Sequence, residues 1–287
     1  MFAGKTPNMG RLAMVRHGNA VVTGASSGLG RELVRQLVLD RGMTVLATAR
    51  RLENLESLAA ELPHGRVLIL AGDLTDAVFR ERLWDRAEAM CGGIDLLVNN
   101  AGMGNYADFA TQDPRAIRKI IELNLFALID LSQRAAGHMK ARGSGQILQI
   151  SSVLGFIGIR DSAVYVASKH AVNGLVKSLR YELWGTGVRV WAACPGRTES
   201  EFRQVALGDR GGEVGRLPTG EPTAKIVRAI VRGLDRRATF VLPSWRAWSI
   251  VTVAHWLSAP FDWIMCRWSP GSYKDVLAQP ATHADTE

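Results

Sequence analysis

The chain has 287 residues, 47% of them hydrophobic, which is ample for a buried parallel sheet and near the upper size for a single core. Its net charge of +8 comes from scattered Arg rather than from a basic run interleaved with aromatics, so the charge does not point to a nucleic-acid partner. Cys91, Cys194 and Cys266 stand at unrelated spacings, which points away from a disulfide framework or a metal site and fits a reducing cytoplasm.

Residues 1–17 are polar, contain Pro7 and Gly10, and read as a lead-in without the sustained apolar core of a cleaved signal. A short apolar strand is expected at 19–23. It runs into Gly24-Ala25-Ser26-Ser27-Gly28-Leu29-Gly30, after which apolar residues at 29, 33, 34, 37 and 38 predict a helix over 28–40. Strand, glycine-rich turn and helix in this order suit a pyrophosphate. Gly24 turns the chain out of the strand, Gly28 lets backbone approach the ligand, and Gly30 lets the helix pack closely on the strand. The helix N-terminus offers N–H groups and a positive dipole end. The spacing Gly-x-x-x-Gly-x-Gly differs from the common Gly-x-Gly-x-x-Gly fingerprint.

A second strand at 43–49 ends at Arg50-Arg51, and no acidic residue follows before Glu53. An acid here would hold the ribose 2′-hydroxyl of NAD, whereas Arg accommodates a 2′-phosphate. NADP(H) is therefore favoured over NAD(H), with Arg50 as the first contact and Arg51 as the second. The alternation continues with helix 52–61, strand 66–71, helix 76–91, strand 94–99, one long helix over 113–141 and strand 145–151. Helix 162–184, strand 188–193, helix 221–235 and a last strand at 238–242 complete it. This predicts an α/β fold over 18–243: a Rossmann-like, doubly wound parallel sheet of about seven strands, flanked by helices with right-handed crossovers. Ligands then bind beyond the carboxyl ends of the strands, where Gly24, Asp73, Asn99, Ser152 and Pro195 all fall.

Tyr165 and Lys169 stand at i, i+4 on one face of helix 162–184, and Ser152 lies thirteen residues before Tyr165. A phenol with a reference pKa of about 10 is a poor proton carrier at neutral pH. An ammonium group one turn away favours the phenolate, and a serine hydroxyl can hold a carbonyl oxygen beside it. The trio suits moving a proton to or from a substrate oxygen while a hydride moves at its carbon.

In this order the motifs resemble the short-chain dehydrogenase/reductase superfamily, in its classical branch, over residues 18–242. Thr23 to Gly30 is similar to the family's cofactor turn, Asp73-Leu74 to its adenine-contacting pair, and Asn99-Asn100-Ala101-Gly102 to the motif ending its fourth strand. Asn124 is similar to the helix Asn that anchors a proton-relay water. Pro195-Gly196, followed by Thr198, is similar to the segment that meets the nicotinamide carboxamide. The resemblance implies cofactor contacts from Gly24, Ser26, Ser27, Gly28, Leu29 and Gly30, from Arg50, Arg51, Asp73 and Leu74, and from Asn100, Ala101 and Gly102. Tyr165, Lys169, Pro195, Gly196 and Thr198 complete that set. It implies Tyr165 as general acid or base, Lys169 as the group that lowers its pKa and binds the ribose, and Ser152 (with Ser151 as the alternative) as holder of the substrate oxygen. Asn124 completes a water relay, and no metal is involved.

The activity implied is interconversion of an alcohol with a ketone or aldehyde by a homodimer or homotetramer that assembles through the helices starting near 113 and 162. Arg197 departs from the family, where an apolar residue is common. Cys194 reads as packing near the cofactor rather than reacting. Residues 203–220, rich in Gly and charge, resemble the family's substrate loop. A cofactor-bound regulator, a membrane-surface protein and an epimerase or dehydratase of the same superfamily are the rival readings. The complete set Asn124, Ser152, Tyr165 and Lys169 argues for an oxidoreductase.

Residues 244–287 form an extension and tail. Between 244 and 273 lie Trp245, Trp248, Trp256, Trp263 and Trp268, five of the eight Trp in the chain, and Ala247 to Phe261 contains no Asp, Glu, Lys or Arg. The stretch is short for a membrane span, and Pro260 interrupts it. Three readings compete: an aromatic wall over an apolar substrate, a contact with a second subunit, and peripheral contact with a membrane surface. Each requires that the apolar surface be covered.

Overall fold

Seven short apolar runs pair into one parallel sheet in the computed structural model, which describes residues 17–90, 92–199, 206–207 and 220–268. The strands are β1 (Asn19–Thr23), β2 (Thr44–Ala49), β3 (Val67–Ala71), β4 (Leu96–Asn99), β5 (Gly145–Ile150), β6 (Val188–Ala193) and β7 (Phe240–Val241). Their order is β3-β2-β1-β4-β5-β6-β7, and every neighbouring pair is parallel. The order reverses between β1 and β4, which opens a crevice at the carboxyl ends of those strands.

Side chains alternate between the two faces along each strand. Ala20, Val22 and Val45 join one core with Leu33 and Leu37 of α1 (Gly28–Arg41), Leu55 of α2 (Leu52–Ala60) and Ile226 of α7 (Thr223–Gly233). Val21 and Leu46 join the other core with Leu83 of α3 (Ala77–Glu88), Leu131 of α5 (Ala127–Arg142) and Val176 of α6 (Ala163–Glu182). The doubly wound architecture expected from the alternation is therefore present.

Two expectations need correction. The helix expected over 113–141 is present as an unbroken helical run but is not uniform. Asp113 caps α4 (Pro114–Ile121), and a π-turn at Glu122–Phe126 joins it to α5. There the N–H of Ala127 donates to the carbonyl of Glu122, five residues back. One inserted residue leaves the apolar period intact on either side, so the pattern does not betray it. In the C-terminal segment the break falls at Leu257, between α8 (Trp245–Trp256) and α9 (Ser258–Trp268), not at Pro260. Pro260 instead occupies the first turn of α9, where its missing N–H removes no helical bond. Among the described residues no helix is long and apolar enough to cross a membrane. The lead-in at 1–16, Cys91, most of the 203–220 loop and the tail beyond 268 lie outside the described residues.

Candidate active site

The crevice is built around the turn that follows β1. Gly24 takes a φ of +68°, and a Cβ on it would lie 2.8 Å from the Cα of Ala101. A Cβ on Gly30 would lie 2.1 Å from the carbonyl oxygen of Gly24, so Gly30 lets the helix close onto the turn itself. Asn100 ties the turn to β4: its side-chain Nδ2 donates to the carbonyls of Thr23 (2.9 Å) and Gly24 (3.2 Å). Thr23 Oγ1 in return accepts from the N–H groups of Asn100 and Ala101, both at 3.0 Å. The Asn100 amide thus shapes the cradle from behind. Ser27 gives α1 no side-chain cap, and the first turn of α1 carries no acid. The N–H groups and dipole there suit an anion.

Arg50 and Arg51 are exposed at the end of β2. Arg51 donates to Ser26 Oγ from Nε (3.4 Å) and Nη2 (3.3 Å), and Asn54 Nδ2 donates to the Ser26 carbonyl at 3.2 Å. Burial works to raise the pKa of Asp73. Hydrogen bonds from the backbone and hydroxyl of Thr75, both 2.9 Å, and the charges of Arg50 and Lys119 prevail and hold it below the ordinary value. The end of β2 and the loop after β3 therefore form one electrostatically linked wall.

Ser152, Tyr165 and Lys169 come together, all buried, at the ends of β5 and α6. The Ser152 hydroxyl is hydrogen-bonded to the Tyr165 phenol and also accepts from the N–H of Leu154 at 3.1 Å, which fixes its direction. Ser151 Oγ donates instead to Asn173 Oδ1 at 2.7 Å, so Ser152 is the serine of the trio. Lys169 Nζ lies 5.7 Å from the centroid of the Tyr165 ring and donates to the carbonyl of Ile150 at 2.9 Å. The phenol is not pulled down as its spacing from Lys169 suggests. Burial raises its pKa above the ordinary range, the Ser152 bond opposes this, and Tyr106 adds to it. Burial also pushes Lys169 down to about 8, against the pull of Cys194. Desolvation thus drives both groups toward their neutral forms. Cys194 is likewise pushed up by burial, to about 12, as befits a packing thiol.

Asn124 sits in the π-turn and is fully buried. Its Oδ1 accepts from the N–H of Met103 at 2.8 Å, and its Nδ2 donates to the Met103 carbonyl (2.9 Å) and to Ser168 Oγ (3.2 Å). Both amide hydrogens are occupied, so the side chain first serves to brace the loop after β4 against α6. Gly102 lies in that loop; a Cβ on it would sit 3.2 Å from Asn124 Oδ1 and 3.8 Å from Lys169 Nζ. Pro195 accepts from the N–H of Val153 at 3.1 Å, and Thr198 forms a bridge with Glu221.

Two contributors escaped the sequence reading. Tyr106 lies close enough to influence the Tyr165 phenol. Arg80, buried on α3, donates from Nη1 to the Leu74 carbonyl (2.7 Å) and Glu122 Oε1 (3.1 Å), and from Nε to Asp130 Oδ2 (2.6 Å). Its one sequence signal is a cation at i−3 and i−4 from buried Leu83 and Trp84. Of the C-terminal indoles, Trp245, Trp248, Trp256 and Trp263 are all exposed, and only Ala247 of α8 is buried.

Residues 18–210 match the family model for short chain dehydrogenases. A 3alpha-hydroxysteroid dehydrogenase of Mediterraneibacter gnavus is 34% identical over 193 residues, covering 66% of this chain and 77% of that protein. A farnesol dehydrogenase of Aedes aegypti is 36% identical over 201 residues, covering 67% and 82%. The solved short-chain dehydrogenase from Sphingobium yanoikuyae in complex with NADPH superposes with a TM-score of 0.73 at 27% identity, covering 94% of this chain and 99% of that one. The matched region contains the cradle, the linked wall and the trio, and by it the chain belongs to the short-chain dehydrogenase/reductase superfamily of oxidoreductases.

Proposed function

We propose that the protein is an NADP(H)-dependent oxidoreductase that interconverts an alcohol with a ketone or aldehyde, with Tyr165 as general acid and base. The observation that carries this reading is the Ser152 hydroxyl bonded to a Tyr165 phenol that burial keeps protonated. The cradle fits a dinucleotide: Gly24 and Gly30 let the turn pack against β4 and α1, Gly28 takes a positive φ at the turn, and the uncapped start of α1 suits the pyrophosphate. Arg50 and Arg51 favour a 2′-phosphate, in keeping with the NADPH-bound relative. When bound, the nicotinamide supplies or accepts the hydride.

The protein's own residues handle the oxygen. Ser152 Oγ and Tyr165 Oη are hydrogen-bonded neighbours, so one substrate carbonyl oxygen placed beside them can accept from both. In reduction Tyr165 Oη gives its proton to that oxygen, and charged Lys169 then stabilises the phenolate. Because the Asn124 amide hydrogens are occupied, a relay through this residue uses its carbonyl groups. The names of the hydroxysteroid and farnesol relatives favour an apolar substrate.

Fluorescence titration of the wild type and Arg50→Ala with NADPH and NADH tests the cofactor. The expected result is NADPH binding that weakens about tenfold in the variant, ~1.4 kcal/mol, with NADH little changed. Tyr165→Phe is expected to lower turnover by at least ~10²-fold while nucleotide affinity stays unchanged. Turnover undiminished by that substitution, or no binding of either nucleotide, overturns the reading.

A further inference from the structure

The body of the molecule grips α8 by its smallest residue. Ala247 is buried, and its Cβ lies 3.9 Å from the point a Cβ on Gly196 would occupy. The large apolar side chains turn the other way. Trp245, Trp248 and Trp256 are 71%, 59% and 77% exposed, and Val253 is 46% exposed. At about 100° per residue these four fall on one side of the helix, with Ala247 opposite. Leu257 between the helices and Trp263 and Ile264 on α9 are exposed as well, at 56%, 59% and 47%. A helix on a water-soluble surface does the reverse and buries its apolar stripe.

The charges on this patch narrow the choice of partner. Arg246 lies 5.7 Å from the Trp245 ring centroid, and Arg267 lies 5.2 Å from that of Trp263. Both Arg are exposed, and Asp262 is the single acidic residue between 245 and 268. A two-fold contact with a second copy would set this cationic patch against itself. An anionic lipid surface instead offers acyl chains to the apolar residues and phosphates to the guanidinium groups, and indoles concentrate at that boundary. With 12 and 11 residues, α8 and α9 are too short to cross a bilayer but long enough to lie in its plane.

We infer that α8 and α9 dock the protein on the interface of an anionic bilayer through Trp245, Trp248, Trp256 and Trp263, with Arg246 and Arg267 at the lipid phosphates. This docking does not depend on the assignment of Tyr165 or of the cofactor. The test is co-sedimentation of the full chain with phosphatidylcholine vesicles, with and without phosphatidylglycerol, alongside quenching of Trp emission by brominated acyl chains. The wild type is expected to bind the anionic vesicles with quenched emission. R246Q/R267Q, which alters exposed positions only, is expected to bind them about tenfold more weakly. Replacing the four Trp with Ser is expected to abolish binding while NADPH titration and circular dichroism remain those of the wild type. The inference is overturned if the wild type binds neither vesicle, if it binds both equally, or if R246Q/R267Q binds undiminished. It is also overturned if the Trp variant loses self-association while the wild type ignores vesicles.

Discussion

Lys169 is a buried amine held at a proton-transfer site, and its energetics follow from that placement. Its pKa falls from 10.5 to about 8 because burial disfavours the charged form. Below pH 8 the fold carries the full cost of that charge. Between pH 8 and 10.5 the unfolded chain binds more protons than the folded one, so the cost shrinks as pH rises, and above 10.5 it is gone. Lys169→Met removes this dependence. Its stability relative to wild type, measured by urea denaturation, is expected to decline by about 1–3 kcal/mol between pH 7 and 10.5. The lost bond to the Ile150 carbonyl enters at both ends of the range and cancels, as do Cys194 and Tyr165. A pH-independent difference would mean that Lys169 is not a desolvated charge. At this scale the identity of the trio was legible, because Tyr165, Lys169 and Ser152 have a spacing that implies shared geometry. The direction of the phenol's shift was not, since it depends on burial by residues distant in sequence.

Among the elements, the π-turn and α3 show what periodicity hides. Helix 113–141 reads as continuous because α4 and α5 each keep their apolar face. The inserted residue shows only in the Ala127 to Glu122 bond. Arg80 joins this turn to the loop after β3, since one guanidinium holds the Leu74 carbonyl, Glu122 and Asp130. Asp130 keeps Arg134 as a second partner at 2.7 Å, but Leu74 and Glu122 would lose a fork that Lys cannot reproduce. Arg80→Met is expected to cost about 2–4 kcal/mol in denaturation and to weaken nucleotide binding, with Arg80→Lys recovering only part of either. Unchanged affinity in both variants would reduce Arg80 to a local ion pair.

At the scale of the molecule, strand and helix alternation was enough to anticipate the sheet, because parallel strands need helical crossovers on both faces. Which way the C-terminal helices face was not readable, since Trp and Ala are both apolar in a pattern and only packing shows which is gripped. Assembly is open to direct measurement. Phe126 at the end of the π-turn, Tyr181 on α6 and Trp184 just beyond it are 54%, 75% and 63% exposed, on or next to the helices through which the family resemblance implies a dimer or tetramer. Light scattering is expected to give at least a dimer, and Tyr181→Glu with Trp184→Glu to lower that mass without changing vesicle binding. A monomeric wild type at micromolar concentration would refute this.

The attachment of the C-terminal helices has a mechanical consequence. They hang from β7, which contributes two residues to the sheet edge. The amides of Ala192 and Cys194 reach across to it, donating to the carbonyls of Thr239 (2.9 Å) and Val241 (2.8 Å). Tension applied through α8 and α9 meets both this short seam and the contact of Ala247 at Gly196. The six longer strands, β1 to β6, lie behind it. The seam is therefore one of two anchors for α8, the other being the contact of buried Ala247 at Gly196, which ties the helix to the strand end beside the candidate site.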